Sequence, residues 1–314
     1  MTPRLAVTLG DPRGIGLEVT LAALAAGAHG DAELTFLGAD EAAAHLPAGL
    51  DFRATGPAGS DDASAGRTAA LAIEAAVDLA LEGAVHGIVT APIHKPSFHA
   101  AGWHVPGHTE MLQDRVGAEQ VGMLMAAETT RLDAPLRVLL ATTHLALRDV
   151  PAAVTAPLLV AQATLLAEAL ERDWNLPEPR LALCALNPHA SDNGLFGDEE
   201  ARTLGPAVQA CREAGIDLTG PLPADTVFAR ALAGDFDAVV VPYHDVGMAA
   251  FKTVSFGTGV NVTLGLPFVR TSPDHGTAFD IAGTGRADAS SMIEAVRLAT
   301  SLARGRFDMD SGRV

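Results

Sequence analysis

Three histidines stand in the same kind of place. His144 closes the expected strand 136–143, His189 follows 181–186 through Asn187-Pro188, and His244 follows 238–242 through Tyr243. Three neutral imidazoles with further positions open would hold a divalent ion such as Zn, Co or Mn and leave room for substrate oxygens. Singly, each fits a loop or core histidine; their common position argues for the trio. No H-E-x-x-H or C-x-x-C pattern adds to it.

Downstream of His244, Lys252, Asn261 and Arg270 supply the donors that a phosphate or carboxylate needs, followed by Asp274-His275-Gly276-Thr277. Together with an imidazole they suggest a small anionic substrate. Lys95 lies just beyond the expected strand 85–90. His108 and Thr109 lie in the stretch 101–110, too rich in His and Gly for core, where they serve as hydrogen-bond donors or Thr109 as a helix N-cap. The segment Gly10 to Gly16 is neither a G-x-G-x-x-G fingerprint nor a P-loop. It reads equally as a plain strand-to-helix turn or as a loop that admits an anion.

The elements that must carry these groups alternate. Strands are expected at 5–9, 34–37, 85–90, 136–143, 181–186 and 238–242. Helices are expected at 18–26, in the Ala-rich segment after 37, and at 65–81, 152–170, 199–214, 224–232 and 290–302, with a flexible loop at 54–64. Repeated β-then-α units predict an α/β fold with a largely parallel, helix-covered sheet. Parallel strands share a carboxyl edge where ligands collect, so side chains distant in sequence can converge there.

Composition limits the partners. With 314 residues, one large domain or two are expected at roughly 150 residues each. Apolar residues make up 48% and aromatics only 4%, so Ala, Leu and Val must fill the core. A net charge of -17 argues against nucleic acid and anionic membrane. Cys184 and Cys211 read as buried thiols in a reducing compartment. With no signal-peptide pattern at the start and no apolar run near the ~20 residues of a membrane span, a soluble, cytoplasmic protein is expected.

Eight ordered motifs then resemble one family. They are Gly10-Asp11-Pro12-x-Gly14-Ile15-Gly16, Thr90-Ala91-Pro92-Ile93-x-Lys95, Pro106-Gly107-His108-Thr109-Glu110, Thr142-Thr143-His144, Leu186-Asn187-Pro188-His189-Ala190, Ala224-Asp225-Thr226, Tyr243-His244-Asp245, and the run from Gly259 through Asn261 and Arg270 to Thr277. The sequence is similar to the 4-hydroxythreonine-4-phosphate dehydrogenases, PdxA, over nearly its whole length.

The resemblance implies an isocitrate/isopropylmalate dehydrogenase-like fold, two α/β/α domains around a cleft, divided near 1–115 plus 255–314 and 116–254. It implies a homodimer with the active site at the subunit interface. It also implies NAD- or NADP-dependent oxidation of 4-phosphohydroxy-L-threonine, whose product decarboxylates to 3-amino-1-hydroxyacetone phosphate. The implied metal ligands are His144, His189 and His244, one of them from the partner subunit, around Zn, Co, Mn or Mg. His108, Thr109, Lys252, Asn261 and Arg270 are the implied substrate set, and Asp274, His275, Gly276 and Thr277 begin the implied cofactor loop, which runs to Gly285. Lys95, Asp245 and a metal-bound water are the candidate bases.

The sequence departs from the family pattern at Leu17, at Val246-Gly247-Met248 and at Ser191-Asp192-Asn193-Gly194. Relatives of this kind also act on erythronate or threonate 4-phosphate, or on cis-dihydrodiols of aromatic acids. Retained Lys252 and Arg270 fit a phosphorylated substrate. A non-redox metal-dependent hydrolase or lyase using the same histidines is the alternative from another class.

Overall fold

The computed structural model describes residues 2–311. In chain order the elements are β1 (Arg4–Thr8), α1 (Gly16–Ala25), β2 (Glu33–Ala39), β3 (Asp51–Gly56), α2 (Asp62–Leu81), β4 (Gly87–Thr90), α3 (Lys95–Ala100), α4 (His108–Val116), β5 (Gly122–Ala127), β6 (Leu136–Leu140), α5 (Val150–Ala153), α6 (Ala156–Trp174), β7 (Leu181–Cys184), α7 (Gly205–Glu213), β8 (Leu218–Leu222), α8 (Ala224–Leu232), β9 (Ala238–Val241), α9 (His244–Ser255), β10 (Val260–Leu264), β11 (Val269–Pro273) and α10 (Ser290–Ser311). By internal contacts, Met1–Val121 with Val260–Val314 form unit 1 and Gly122–Gly259 form unit 2.

Unit 1 orders its strands β3-β2-β1-β4-β11-β10, parallel except for the antiparallel pair β10 and β11. Register fixes which helix covers which face. Thr271 pairs with Val89, and its hydroxyl donates to the Ala295 carbonyl of α10 at 2.8 Å. Ile88, one residue off that register, belongs with Ala6 and Leu37 to the apolar cluster of α2. Alternation along a strand therefore puts α10 on one face and α2 on the other.

At the amino edge of this sheet, the Arg4 backbone N–H donates to His86 Nδ1 at 2.9 Å, which requires that nitrogen to be unprotonated. Burial, reinforced by the Arg4 charge, lowers His86 from 6.5 to about 4. Between those values the unfolded chain holds a proton that the folded one refuses, so His86 makes stability fall as the pH drops from 6.5 towards 4. An NMR titration should find the ring neutral at pH 5; a midpoint near 6.5 would show that the N–H bond does not set its state.

Unit 2 orders its strands β5-β6-β9-β7-β8, with only β5 and β6 antiparallel. Val138, Val239 and Ala182 face one way with Val227, Phe228 and Phe251 of α8 and α9. Leu139 faces the other way, and with Leu165 and Gln162 of α6 it closes over Gly122 so tightly that a Cβ there would meet all three within 3.1 Å.

Several sequence expectations are corrected. β3, β5, β8, β10 and β11 are additional strands. β3 has an exposed, polar pattern, β5 is built from the helix formers Met, Leu and Ala, and β8 contains Gly220-Pro221, so none carries a strand signature. The Ala-rich segment after 37 forms only a short 3-10 turn, Asp40–Ala44. α2 starts at Asp62, inside the expected loop, because Asp61 caps it by accepting the Ser64 N–H at 2.9 Å. Among the described residues no single helix is long and apolar enough to cross a membrane.

Candidate active site

Arg270 lies buried on β11, inside the sheet of unit 1. It pairs in register with Ile88, so it projects to the α2 side of the sheet. Thr90 lies two residues beyond Ile88, and Asn261, opposite Ser272, shares that parity, as does Thr263. The guanidinium, 2% exposed, donates from Nη1 to Thr263 Oγ1 at 2.9 Å and from Nη2 to Thr90 Oγ1 at 2.7 Å, while Nε has no partner. Burial lowers its pKa to about 10, opposed by the charge of Glu110. A buried cation bonded only to two neutral hydroxyls keeps most of its desolvation cost, which a bound anion would offset.

His108 opens α4, entering from Gly107; Thr109 is therefore in the first turn and not the cap. The Nε2 atom of His108 is buried without a partner, and so is the Asn261 Oδ1 atom. Burial first, then the Arg270 and Lys95 charges, push His108 well below its ordinary pKa, so the ring is neutral at pH 7. Lys95 is exposed at the start of α3. Three unpartnered buried polar atoms, on Arg270, Asn261 and His108, are uncommon and make these residues a candidate site.

The glycine turn and the 274–285 loop also come together in unit 1. The Ile15 N–H donates to the Thr277 carbonyl at 3.0 Å, and a Cβ on Gly14 would sit 2.8 Å from that oxygen. Gly10, at φ +72°, leans on the Pro92 carbonyl, 2.2 Å from where its Cβ would be. Arg13 is bound by Asp11 and Asp62 and lies 5.2 Å from the Phe279 ring. Asp274 is tied to Ser291 at the start of α10. His275 Nδ1 faces the Gly276 carbonyl at 3.0 Å and so carries the ring's proton when neutral, leaving the unpartnered, buried Nε2 as an acceptor. Nothing fills the space beside Gly276.

In unit 2 the strands leading to the three histidines, β6, β9 and β7, are adjacent and parallel, so His144, His244 and His189 all follow the same carboxyl edge. Two of them meet: the His144 and His244 rings lie 5.5 Å apart. Their loops are pinned together by Thr142 Oγ1, which donates to the Pro242 carbonyl at 2.7 Å. Asp245 Oδ1 lies 2.8 Å from His244 Nδ1, which leaves Nε2 as the ring nitrogen that a metal could take. His189 lies in a left-handed turn, and among the described residues no three His, Cys, Asp or Glu side chains group closely enough to hold an ion. The chain thus unites two of the three expected ligands. Lys252 is half-buried on α9, which begins with His244.

A family model described as pyridoxal phosphate biosynthetic protein PdxA matches residues 17–299. The chain belongs to the PdxA family. The 4-hydroxythreonine-4-phosphate dehydrogenase of Paracoccus denitrificans (strain Pd 1222) is 44% identical over 324 residues, covering 96% of this chain and 98% of that protein. A crystal structure of 4-hydroxythreonine-4-phosphate dehydrogenase from Klebsiella pneumoniae matches with a TM-score of 0.86 at 38% identity, covering 96% of this chain and 100% of that one. The PdxA fold extends to an isocitrate dehydrogenase from Methylococcus capsulatus, 16% identical with a TM-score of 0.53 over 99% of this chain and 88% of that one. The fold class expected from the sequence is therefore the one found. Sequence reasoning about this PdxA chain left out the anchoring of Arg270 by Thr90 and Thr263, and read Glu200 only as part of a helix. No local signal marked the first, since Thr90 lies 180 residues from Arg270 and no strand was expected at Thr263 or Arg270.

Proposed function

We propose that this protein is an NAD(P)-dependent, metal-requiring dehydrogenase that oxidises 4-phosphohydroxy-L-threonine to 2-amino-3-oxo-4-phosphooxybutanoate, which then decarboxylates, in pyridoxal phosphate biosynthesis. The observation that carries this reading is the buried Arg270 with its vacant Nε, together with the unpartnered His108 Nε2 and Asn261 Oδ1. These residues offer a cation to a phosphate or carboxylate, a neutral imidazole to an adjoining polar group, and an amide oxygen to an N–H or O–H, the functional groups of a phosphorylated amino alcohol acid. Thr109 and Lys252 complete the proposed substrate set.

His144 and His244 would hold a divalent ion with His189, one of the three coming from the partner subunit of a homodimer. Such an ion supplies positive charge where oxidation and decarboxylation develop negative charge. Asp245 orients His244. One of its oxygens is committed to that ring and the other is free; Asp245, Lys95 and a metal-bound water are the proposed acceptors of the hydroxyl proton. The loop from Asp274 through His275, Gly276 and Thr277 would receive the nicotinamide cofactor, the His275 Nε2 acceptor suiting an amino group such as that of adenine.

The test is NADH or NADPH formation with 4-phosphohydroxy-L-threonine and with erythronate 4-phosphate, each with and without EDTA. Turnover of the first substrate and its loss to the chelator are expected. Turnover of erythronate 4-phosphate alone would move the assignment to another phosphorylated hydroxy acid. No reduced nicotinamide from either would overturn it.

A further inference from the structure

The loop that carries His189 is held by a side chain outside the proposed site. Five consecutive non-glycine residues, His189, Ala190, Ser191, Asp192 and Asn193, have φ between 45° and 64°. L-residues visit this region singly and not in runs, so such a turn persists only where its surroundings impose it. Glu200 grips the chain immediately before this turn. Its carboxylate is buried, and Oε1 accepts the backbone N–H groups of Leu186 at 3.0 Å and Asn187 at 2.7 Å. Oε2 accepts the Asn187 side-chain amide at 2.8 Å, which Glu199 also receives at 2.8 Å. Gly197 makes room for this grip, since a Cβ there would lie 2.8 Å from Asn187 Nδ2.

The segment Glu200–Leu204 is a π-helical turn running directly into α7. Such a widened turn is uncommon and recurs at functional sites. Here Glu200 opens the turn, and its carboxylate meets the exit of β7.

We propose that Glu200 is a positioning residue. By binding the chain at Leu186 and Asn187, it fixes the left-handed turn that presents His189 beside the carboxyl edge of β6, β9 and β7 for a divalent cation. This rests on the metal role proposed above for His189.

The experiment measures two quantities on the intact protein: Mn2+ affinity by calorimetry, with the metal alone, and hydrogen exchange of peptides spanning 186–193. Glu200→Ala should speed exchange in that segment at least tenfold while 181–184 stays protected. It should weaken Mn2+ binding about 10- to 100-fold, the usual cost of removing a group that orients a ligand. Glu200→Gln keeps one acceptor oxygen and should show smaller changes of the same sign; it decides the matter if the alanine variant does not fold. His189→Ala separates the two readings. If it loses Mn2+ affinity and neither Glu200 variant does, the positioning role is overturned alone. If it binds Mn2+ like the parent chain, the metal role of His189 falls and this inference with it.

Discussion

Arg270→Met is expected to raise KM for the phosphorylated substrate about 10- to 150-fold while shifting stability by no more than about 2 kcal/mol. The first figure is the roughly 1.5–3 kcal/mol of a charge-assisted contact at about 1.4 kcal/mol per decade. The second follows from opposing terms. Methionine loses the bonds to Thr90 and Thr263, but it also removes a buried cation that no carboxylate contacts directly. Exchanging buried charge for apolar volume is often neutral or stabilising. An arginine kept only for structure would give the reverse pattern, a lowered melting temperature with KM unchanged, and that result would remove Arg270 from the substrate face.

His244→Ala is expected to abolish turnover and to weaken divalent-ion binding by more than the roughly 10- to 100-fold that loss of an outer orienting partner costs. The side chain is 34% exposed, and the ion pair described for it is with Asp245, itself on the surface, so the fold should be unaffected within about 0.5 kcal/mol. Asp245→Asn should fall between parent and alanine variant, because the ring keeps its position while losing its carboxylate. Calorimetry with Mn2+ and a thermal melt on both variants check this. Parent-like activity in His244→Ala would end the ligand role.

Much of this was legible in the chain because the relevant physics is local. The runs before His189 and His244 are short and apolar, as buried parallel strands tend to be, and the structure places all three histidines after one edge. α8 has the expected bounds, its apolar residues recurring at helical spacing. The rest depends on contacts that no window of sequence contains. That Arg270 is buried without a carboxylate contact follows from β11 lying between β4 and β10, a pairing of residues 180 apart in the case of Thr90. The antiparallel β10 and β11 turn at Gly265, and their polar Asn261, Thr263, Arg270 and Ser272 disguise a buried strand pair as a loop. The left-handed run from His189 to Asn193 contains only one asparagine and one aspartate among its five residues, too few to advertise it.

Unit 2 is contiguous in sequence and interrupts unit 1. A ribosome therefore completes the whole histidine-bearing unit before it supplies the strands with Asn261 and Arg270. Until residues 269–273 arrive, β4 is paired with β1 alone and its other edge is bare. On the nascent chain, the anion cradle is among the last parts to be assembled, and the edge of β4 stays open to mispairing until then.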